Sequence, residues 1–228
     1  MKWVTSESLG TPKKRGTLRK LITAVALTLM VFGASLIGNQ FYDFYHPEES
    51  ETQAQEVEEV TEDWAQDAQI KTNSSSEQTE FKNGETVGIL RIPRLGDDYS
   101  KTIVFGVSAD DLKKGTGLYP SNALPGEEGN MAIAGHRTGP DETFYDLPAI
   151  KEGDKIIIET KDYVYTYKTV KRAEDTEVMD TDTWVLDKPK VSADSTHNLT
   201  LTTCAELYPN SPKRLALFAE LDSKKEKA

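Results

Sequence analysis

The sequence predicts a mainly β fold, a barrel or sandwich of short strands with short helices, preceded by one N-terminal transmembrane helix. Three observations predict it. Leu21 to Gly38 runs eighteen residues without a charge. A long acidic stretch, poor in aromatic residues, comes after it. From about Phe81 onward, short alternating runs are punctuated by Gly and Pro.

Residues 1–20 form a basic tail with a net charge of +5, ending in Arg19-Lys20. Residues 21–38 follow as the span. At about 1.5 Å per residue a helix of this length covers roughly 27 Å, close to the thickness of a bilayer core. Phe41, Tyr42, Phe44 and Tyr45 sit where an interfacial aromatic belt belongs. Basic residues before the span predict a cytoplasmic N-terminus and an extracellular domain. The competing reading is a cleaved signal peptide, since Gly33-Ala34-Ser35 offers small residues. The apolar run exceeds the usual length of such a peptide's core, which favours an anchor.

Residues 39–80 read as an acidic flexible linker. Residues 46–80 alone carry a net charge of −10. Such a composition buries too little apolar surface to offset the entropy of ordering. Val57, Val60 and Trp64 do fall at helical spacing, which allows a helical turn, but no packing is expected of it.

Residues 81–224 form the folded domain, and 225–228 a short tail. Period-two runs predict strands at Thr86–Ile92, Thr102–Val107, Asn130–His136, Lys155–Thr160, Tyr163–Glu174, Thr183–Leu186, Asn198–Cys204 and Arg214–Leu221. Short helices are predicted at Ala109–Lys114 and Thr143–Ile150. The overall charge of −11 is concentrated in the linker, and no basic stripe lies on the domain. This argues against a nucleic-acid partner.

Three residues of the domain stand out chemically. Cys204 is the only cysteine of the chain. By alternation Leu199 and Leu201 take one face of its strand, and Thr200, Thr202 and Cys204 the other. The thiol therefore stands at a strand end beside a loop, a firm mounting for a nucleophile. The bland alternative is a small buried hydrophobe. His136 ends another strand, next to a Gly/Pro loop, where it can serve as general acid and base or as a structural histidine. Arg214 opens the last strand; a fixed guanidinium can stabilise an oxyanion, or simply be a solvated charge. His46 and His197 read as surface residues. One cysteine and three scattered histidines give no metal-ligand spacing, and no metal or cofactor is expected.

Together these pieces resemble the sortases, the cysteine transpeptidases of Gram-positive cell surfaces. The resemblance rests on Thr200-Leu201-Thr202-Thr203-Cys204, on Arg214 ten residues later, and on Ala134-Gly135-His136-Arg137-Thr138. It extends to Leu90-Arg91-Ile92-Pro93-Arg94-Leu95-Gly96, Tyr119-Pro120, Ala123-Leu124-Pro125-Gly126 and Gly129-Asn130. Phe144, Asp146 and Leu147 keep the family's distances from the histidine, and Gly153-Asp154 follows. It spans about residues 85–222 and is most similar to class E. Two departures stand out. Gly139-Pro140-Asp141 replaces the usual Thr-Tyr-Gly, and the loop from Cys204 to Arg214 is one residue longer, which makes Lys213 a rival for the arginine position.

The resemblance implies an eight-stranded sortase-type barrel. It implies that Cys204 attacks the carbonyl of a C-terminal sorting signal of the LPxTG or LAxTG type, between Thr and Gly. It implies that His136 moves the proton and Arg214 holds the substrate backbone and oxyanion, with substrate contacts at Thr203, Thr202 and Ala134. The implied partners are surface proteins bearing sorting signals and an amine of a peptidoglycan precursor. Two alternatives stay open. One is a pilus-assembling sortase that joins pilins through a lysine. The other is a catalytically silent barrel tethered outside the membrane as a binding module.

Overall fold

The structure, a computed structural model, describes residues 55–64, 81–139, 142–187, 195–208 and 211–227. The anticipated anchor at 21–38 and two residues of the departing loop, Pro140 and Asp141, lie outside the described residues. Among the described residues, no helix is long and apolar enough to cross a membrane.

Nine strands form one sheet: β1 (Thr86–Arg91), β2 (Ser100–Phe105), β3 (Thr116–Leu118), β4 (Gly129–Ala134), β5 (Lys155–Glu159), β6 (Tyr163–Lys171), β7 (Glu177–Met179), β8 (His197–Cys204) and β9 (Lys213–Glu226). Their order is β6-β5-β1-β2-β3-β4-β8-β9-β7, and β6 also pairs with β9. That last pairing closes eight strands into a barrel and leaves β7 as a short flap on the start of β9. Closure removes the open sheet edges that otherwise invite aggregation. Of the two predicted architectures, barrel and sandwich, the barrel is the one formed.

Strand alternation fills the barrel. Leu90, Ile103, Leu118, Met131, Ile133, Ile156, Ile158, Tyr165, Tyr167, Leu199, Leu201, Leu215 and Leu217 point into one core. Each fully buried aliphatic side chain of this kind contributes about 1.5–3 kcal/mol. Phe144, Leu147 and Ile150 join from the segment after β4, each fully buried. A second, smaller cluster of Val185, Ala216 and Phe218 lies apart from it.

Several expected elements differ. β2 begins two residues before the predicted Thr102, and β4 stops at Ala134, so His136 lies just past its strand. The predicted strand Thr183–Leu186 is a correction: it is a short helix, Trp184–Asp187. Its β-branched run belongs to a turn that caps the second cluster rather than joining the sheet. The predicted helix Thr143–Ile150 shrinks to one 3-10 turn, Leu147–Ala149, entered through Pro148. The helix at Ala109–Leu112 forms, with a capping box between Ser108 and Asp111. β3 and β7, three residues each, carry too short a pattern to be seen in sequence. Residues 55–64 are helical, and they pack more than expected: Val57 is 7% exposed, and Lys227 Nζ lies 4.8 Å from the Trp64 ring centroid.

Candidate active site

β8 lies between β4 and β9, parallel to the first and antiparallel to the second. The register lines up residues in rows across the three strands. Ala132, Thr200 and Phe218 form one row; Ala134, Thr202 and Ala216 form the next. Cys204 is paired directly with Arg214. On the parallel strand, His136 stands two residues beyond Ala134 just as Cys204 stands two beyond Thr202. The three candidate residues therefore end three adjacent strands at one level. Alternation puts all three on the outer face, since Met131, Ile133, Leu199, Leu201, Leu215 and Leu217 fill the inside.

Each row has its own environment. The first is covered by the Trp184–Asp187 helix. Thr200 Oγ1 lies 3.0 Å from the Val185 carbonyl and 3.1 Å from Asn130 Oδ1, while Asn130 Nδ2 donates to the Leu186 carbonyl at 2.7 Å. Asn122 Nδ2 donates to the same carbonyl at 2.6 Å, and the Trp184 ring stands 6.1 Å from that of Phe218. These bonds satisfy carbonyls that end a helix. The second row carries only small side chains. The third row holds the thiol, the imidazole and the guanidinium, each partly exposed.

His136 is held by its backbone on both sides. Gly135 N–H donates to the Thr202 carbonyl at 3.1 Å, and Phe144 N–H donates to the His136 carbonyl at 2.8 Å. Thr203 Oγ1 donates to the Gly135 carbonyl at 2.8 Å. Gly135 has no room for a side chain: a Cβ there would stand 2.5 Å from Phe144 Cδ2. The backbone before the histidine is thus clamped between β8 and the Phe144 ring.

Arg214 is anchored by carbonyls and one carboxylate. Its Nη1 donates to the Ser211 carbonyl and to the Lys213 carbonyl, the latter at 3.0 Å, and Nη2 lies 3.8 Å from Asp180 Oδ2. Lys213 instead pairs with Glu177 at 2.8 Å, which raises the pKa of its ammonium. Parity decides between the two rivals: Arg214 is the one opposite Cys204. Burial pushes the Tyr119 phenol up, and the Arg214 charge pulls it partly back.

Of the anticipated substrate contacts, Ala134 is half-buried, Thr202 is 5% exposed and Thr203 is 3% exposed. The Thr203 hydroxyl is engaged with the histidine's strand, so its side chain ties the site together from inside the barrel. Two residues were not assigned a role from sequence. Arg137 donates through Nη1 to the Cys204 carbonyl at 3.3 Å and to the Ala205 carbonyl, fixing the chain as it leaves Cys204. Asn130 holds the helix that covers the first row. Both sit inside motifs already singled out, next to the histidine and at the start of β4; only the contact partners were invisible.

A nucleophile with a proton carrier on one side and a fixed cation on the other is an arrangement for acyl transfer. Comparison with known proteins points to the same chemistry. The sortase domain model matches residues 90–222. Sortase SrtE2 of Streptomyces coelicolor is 28% identical over 173 residues, covering 73% of this chain and 67% of that protein. Sortase D of Bacillus subtilis is 31% identical over 160 residues, covering 65% of this chain and 71% of that one. The solved structure of sortase E from Streptomyces avermitilis superposes with a TM-score of 0.57 at 33% identity, covering 64% of this chain and 93% of that one. The chain belongs to the sortase family of transpeptidases, and its resemblance runs to the class E members.

Proposed function

We propose that this protein is a membrane-anchored sortase that cleaves a C-terminal sorting signal of the LAxTG or LPxTG type between Thr and Gly and transfers the acyl part to a cell-wall amine. The observation that carries the reading is the row of His136, Cys204 and Arg214 at the ends of β4, β8 and β9. The roles follow from the chemistry of each group.

The Cys204 thiolate attacks the threonine carbonyl carbon. A C–S bond forms and the carbonyl π pair moves to oxygen. Arg214, on the neighbouring strand, supplies donors and charge to that oxyanion and to the substrate backbone. Collapse breaks the C–N bond, and protonated His136 gives its proton to the departing glycine amine. The thioester keeps the acyl group activated, so no nucleotide is needed for the second half. The incoming amine attacks, neutral His136 takes its proton, and the thiolate leaves. Ala134, Thr202 and Ala216 floor the approach with small side chains. Residues 21–38 would hold the enzyme in the membrane with its N-terminus in the cytoplasm, and the acidic segment would set the domain off the surface.

The test is product analysis. The full chain is incubated with LAxTG and LPxTG peptides, each with a peptidoglycan-type amine or a pilin-type lysine peptide, and products are read by mass. Ligation of the fragment ending in threonine to the cell-wall amine is expected. Exclusive ligation to the lysine peptide would favour a pilus-assembling role, and no cleavage of any peptide would favour a silent binding barrel.

A further inference from the structure

We infer that Arg137 is a positioning residue for the acyl-transfer step. Its guanidinium supplies the rung between β4 and β8 that the backbone lacks at the level of His136 and Cys204, and so sets the spacing of proton carrier and nucleophile. The inference rests on the transpeptidase reading above and deepens it.

The missing rung follows from the path of the two strands. Ala205 N–H donates to the Lys213 carbonyl at 3.0 Å, so it points to β9. The Cys204 carbonyl belongs to the same trans peptide and points the opposite way, towards β4. There the parallel ladder runs through Gly135 N–H to the Thr202 carbonyl at 3.1 Å. Bonds of a parallel ladder repeat every second residue on each strand. The next rung would therefore join Arg137 N–H to the Cys204 carbonyl. β4 has ended before that point: its last pair with β8 is Ala134 with Thr202. The chain then turns, and the His136 carbonyl accepts from Phe144 N–H at 2.8 Å.

The Arg137 side chain makes the bond that its backbone does not. Nη1 donates to the Cys204 carbonyl at 3.3 Å and also to the Ala205 carbonyl. The peptide that leaves Cys204 is thus pinned on both edges, by Lys213 from β9 and by Arg137 from the end of β4. Bonds from a guanidinium are charge-assisted and stronger than the amide rung they replace. The side chain is not a solvated charge that happens to lie here. Its Nε is buried without a partner among the described residues, a donor that water would satisfy if the arm swung out. The two carbonyl bonds hold it in.

Arg137 is also the residue next to His136, with Cα atoms about 3.8 Å apart. A tie from Arg137 to Cys204 therefore fixes the imidazole-bearing backbone against the thiol-bearing one. Proton transfer between thiol, leaving amine and imidazole needs that spacing, and a misplacement of about 1 Å can cost roughly a hundredfold in rate.

The test uses the full chain with Arg137→Met, which removes the donors, and Arg137→Lys, which keeps the charge but not the planar fork. First-turnover acylation by a sorting-type peptide is followed as growth of the Cys204 adduct in quenched intact mass. With Arg137→Met the maximal rate should fall roughly tenfold to hundredfold, and the half-saturating peptide concentration should stay within about twofold. Arg137→Lys should fall between that variant and wild type. Alkylation of Cys204 by iodoacetamide needs no imidazole at a set distance, and should stay within about twofold of wild type. A change confined to the half-saturating concentration, or an equal fall in alkylation and acylation, overturns the inference. Hydrogen exchange without substrate separates this failure from failure of the transpeptidase reading. In Arg137→Met, exchange of Gly135 N–H should rise roughly tenfold, while amides lower in β4 keep their protection. Unchanged exchange at Gly135, or a uniform rise along β4, overturns the rung even where peptide cleavage proceeds. A rise confined to Gly135, with no peptide acylating the wild type, overturns the reaction and leaves the rung standing.

Discussion

Arg214 faces Cys204 and Lys213 does not, because successive residues of a strand point to opposite sides. One position separates a residue opposite Cys204 from one that pairs with Glu177 on the short flap. The same discipline appears within the barrel at Tyr167. Its ring is 1% exposed, and its hydroxyl accepts from the Gly126 N–H at 3.4 Å. Gly126 sits at φ +78°, where a side chain would also strike Tyr165. Burial pushes the Tyr167 phenol up from its ordinary 10 to about 12. A phenol whose pKa is raised on folding stabilises the fold below its unfolded pKa and loses that contribution as pH climbs through the folded one. Stability should hold up to about pH 10 and then decline by roughly 2–3 kcal/mol towards pH 12 on this account. Tyr167→Phe should flatten the decline in denaturant titrations across that window. Tyr119 and Tyr165, also pushed up by burial, keep part of the slope. An unchanged slope in the variant would show that this phenol does not titrate with unfolding.

At the scale of elements, the strands that build the site were the most legible parts of the chain. β4, β8 and β9 start within one residue of where alternation put them. That Cys204 ends one strand and Arg214 opens the next was legible because strand ends are local properties; their direct pairing was not. The segment between β6 and β8 was not legible. Trp184-Val185-Leu186 is apolar and partly β-branched, so pattern alone reads it as a strand. What makes it a helix is its docking on Thr200, Asn130 and Asn122, side chains on or beside other strands, the last two more than fifty residues away in sequence. Thr200→Val tests that docking. The hydroxyl it removes lies between the Val185 carbonyl and Asn130 Oδ1, both buried, and donates its one hydrogen there. Leaving that buried acceptor short of a donor costs about 1–3 kcal/mol, or roughly 2–10 °C in Tm for a domain of this size. Thermal unfolding should show that loss, and a Tm within one degree of wild type would mean the helix is held without the Thr200 hydroxyl, by Asn130, Asn122 and its apolar contacts. Arg137 was hidden for the same reason as the helix: its value lies in the carbonyls of Cys204 and Ala205, which sequence spacing does not reveal.

For the whole molecule, barrel closure is what turns scattered motifs into one site. His136 and Cys204 are 68 positions apart, yet parallel pairing of β4 with β8 sets them at one level, and the antiparallel turn into β9 adds Arg214. The closed sheet fixes all three backbones; on the proposed reading the site needs little reorganisation to act, the condition for electrostatic stabilisation of an oxyanion. The central claim is that this assembly works through a thioester on Cys204. The most direct measurement is intact mass of the full chain quenched during turnover of a sorting-type peptide. The account predicts an adduct equal to the peptide's N-terminal part through threonine, mapped to Cys204, and neither adduct nor cleavage with Cys204→Ala. Cleavage by the C204A protein, or cleavage by the wild type with no adduct on Cys204, would contradict it.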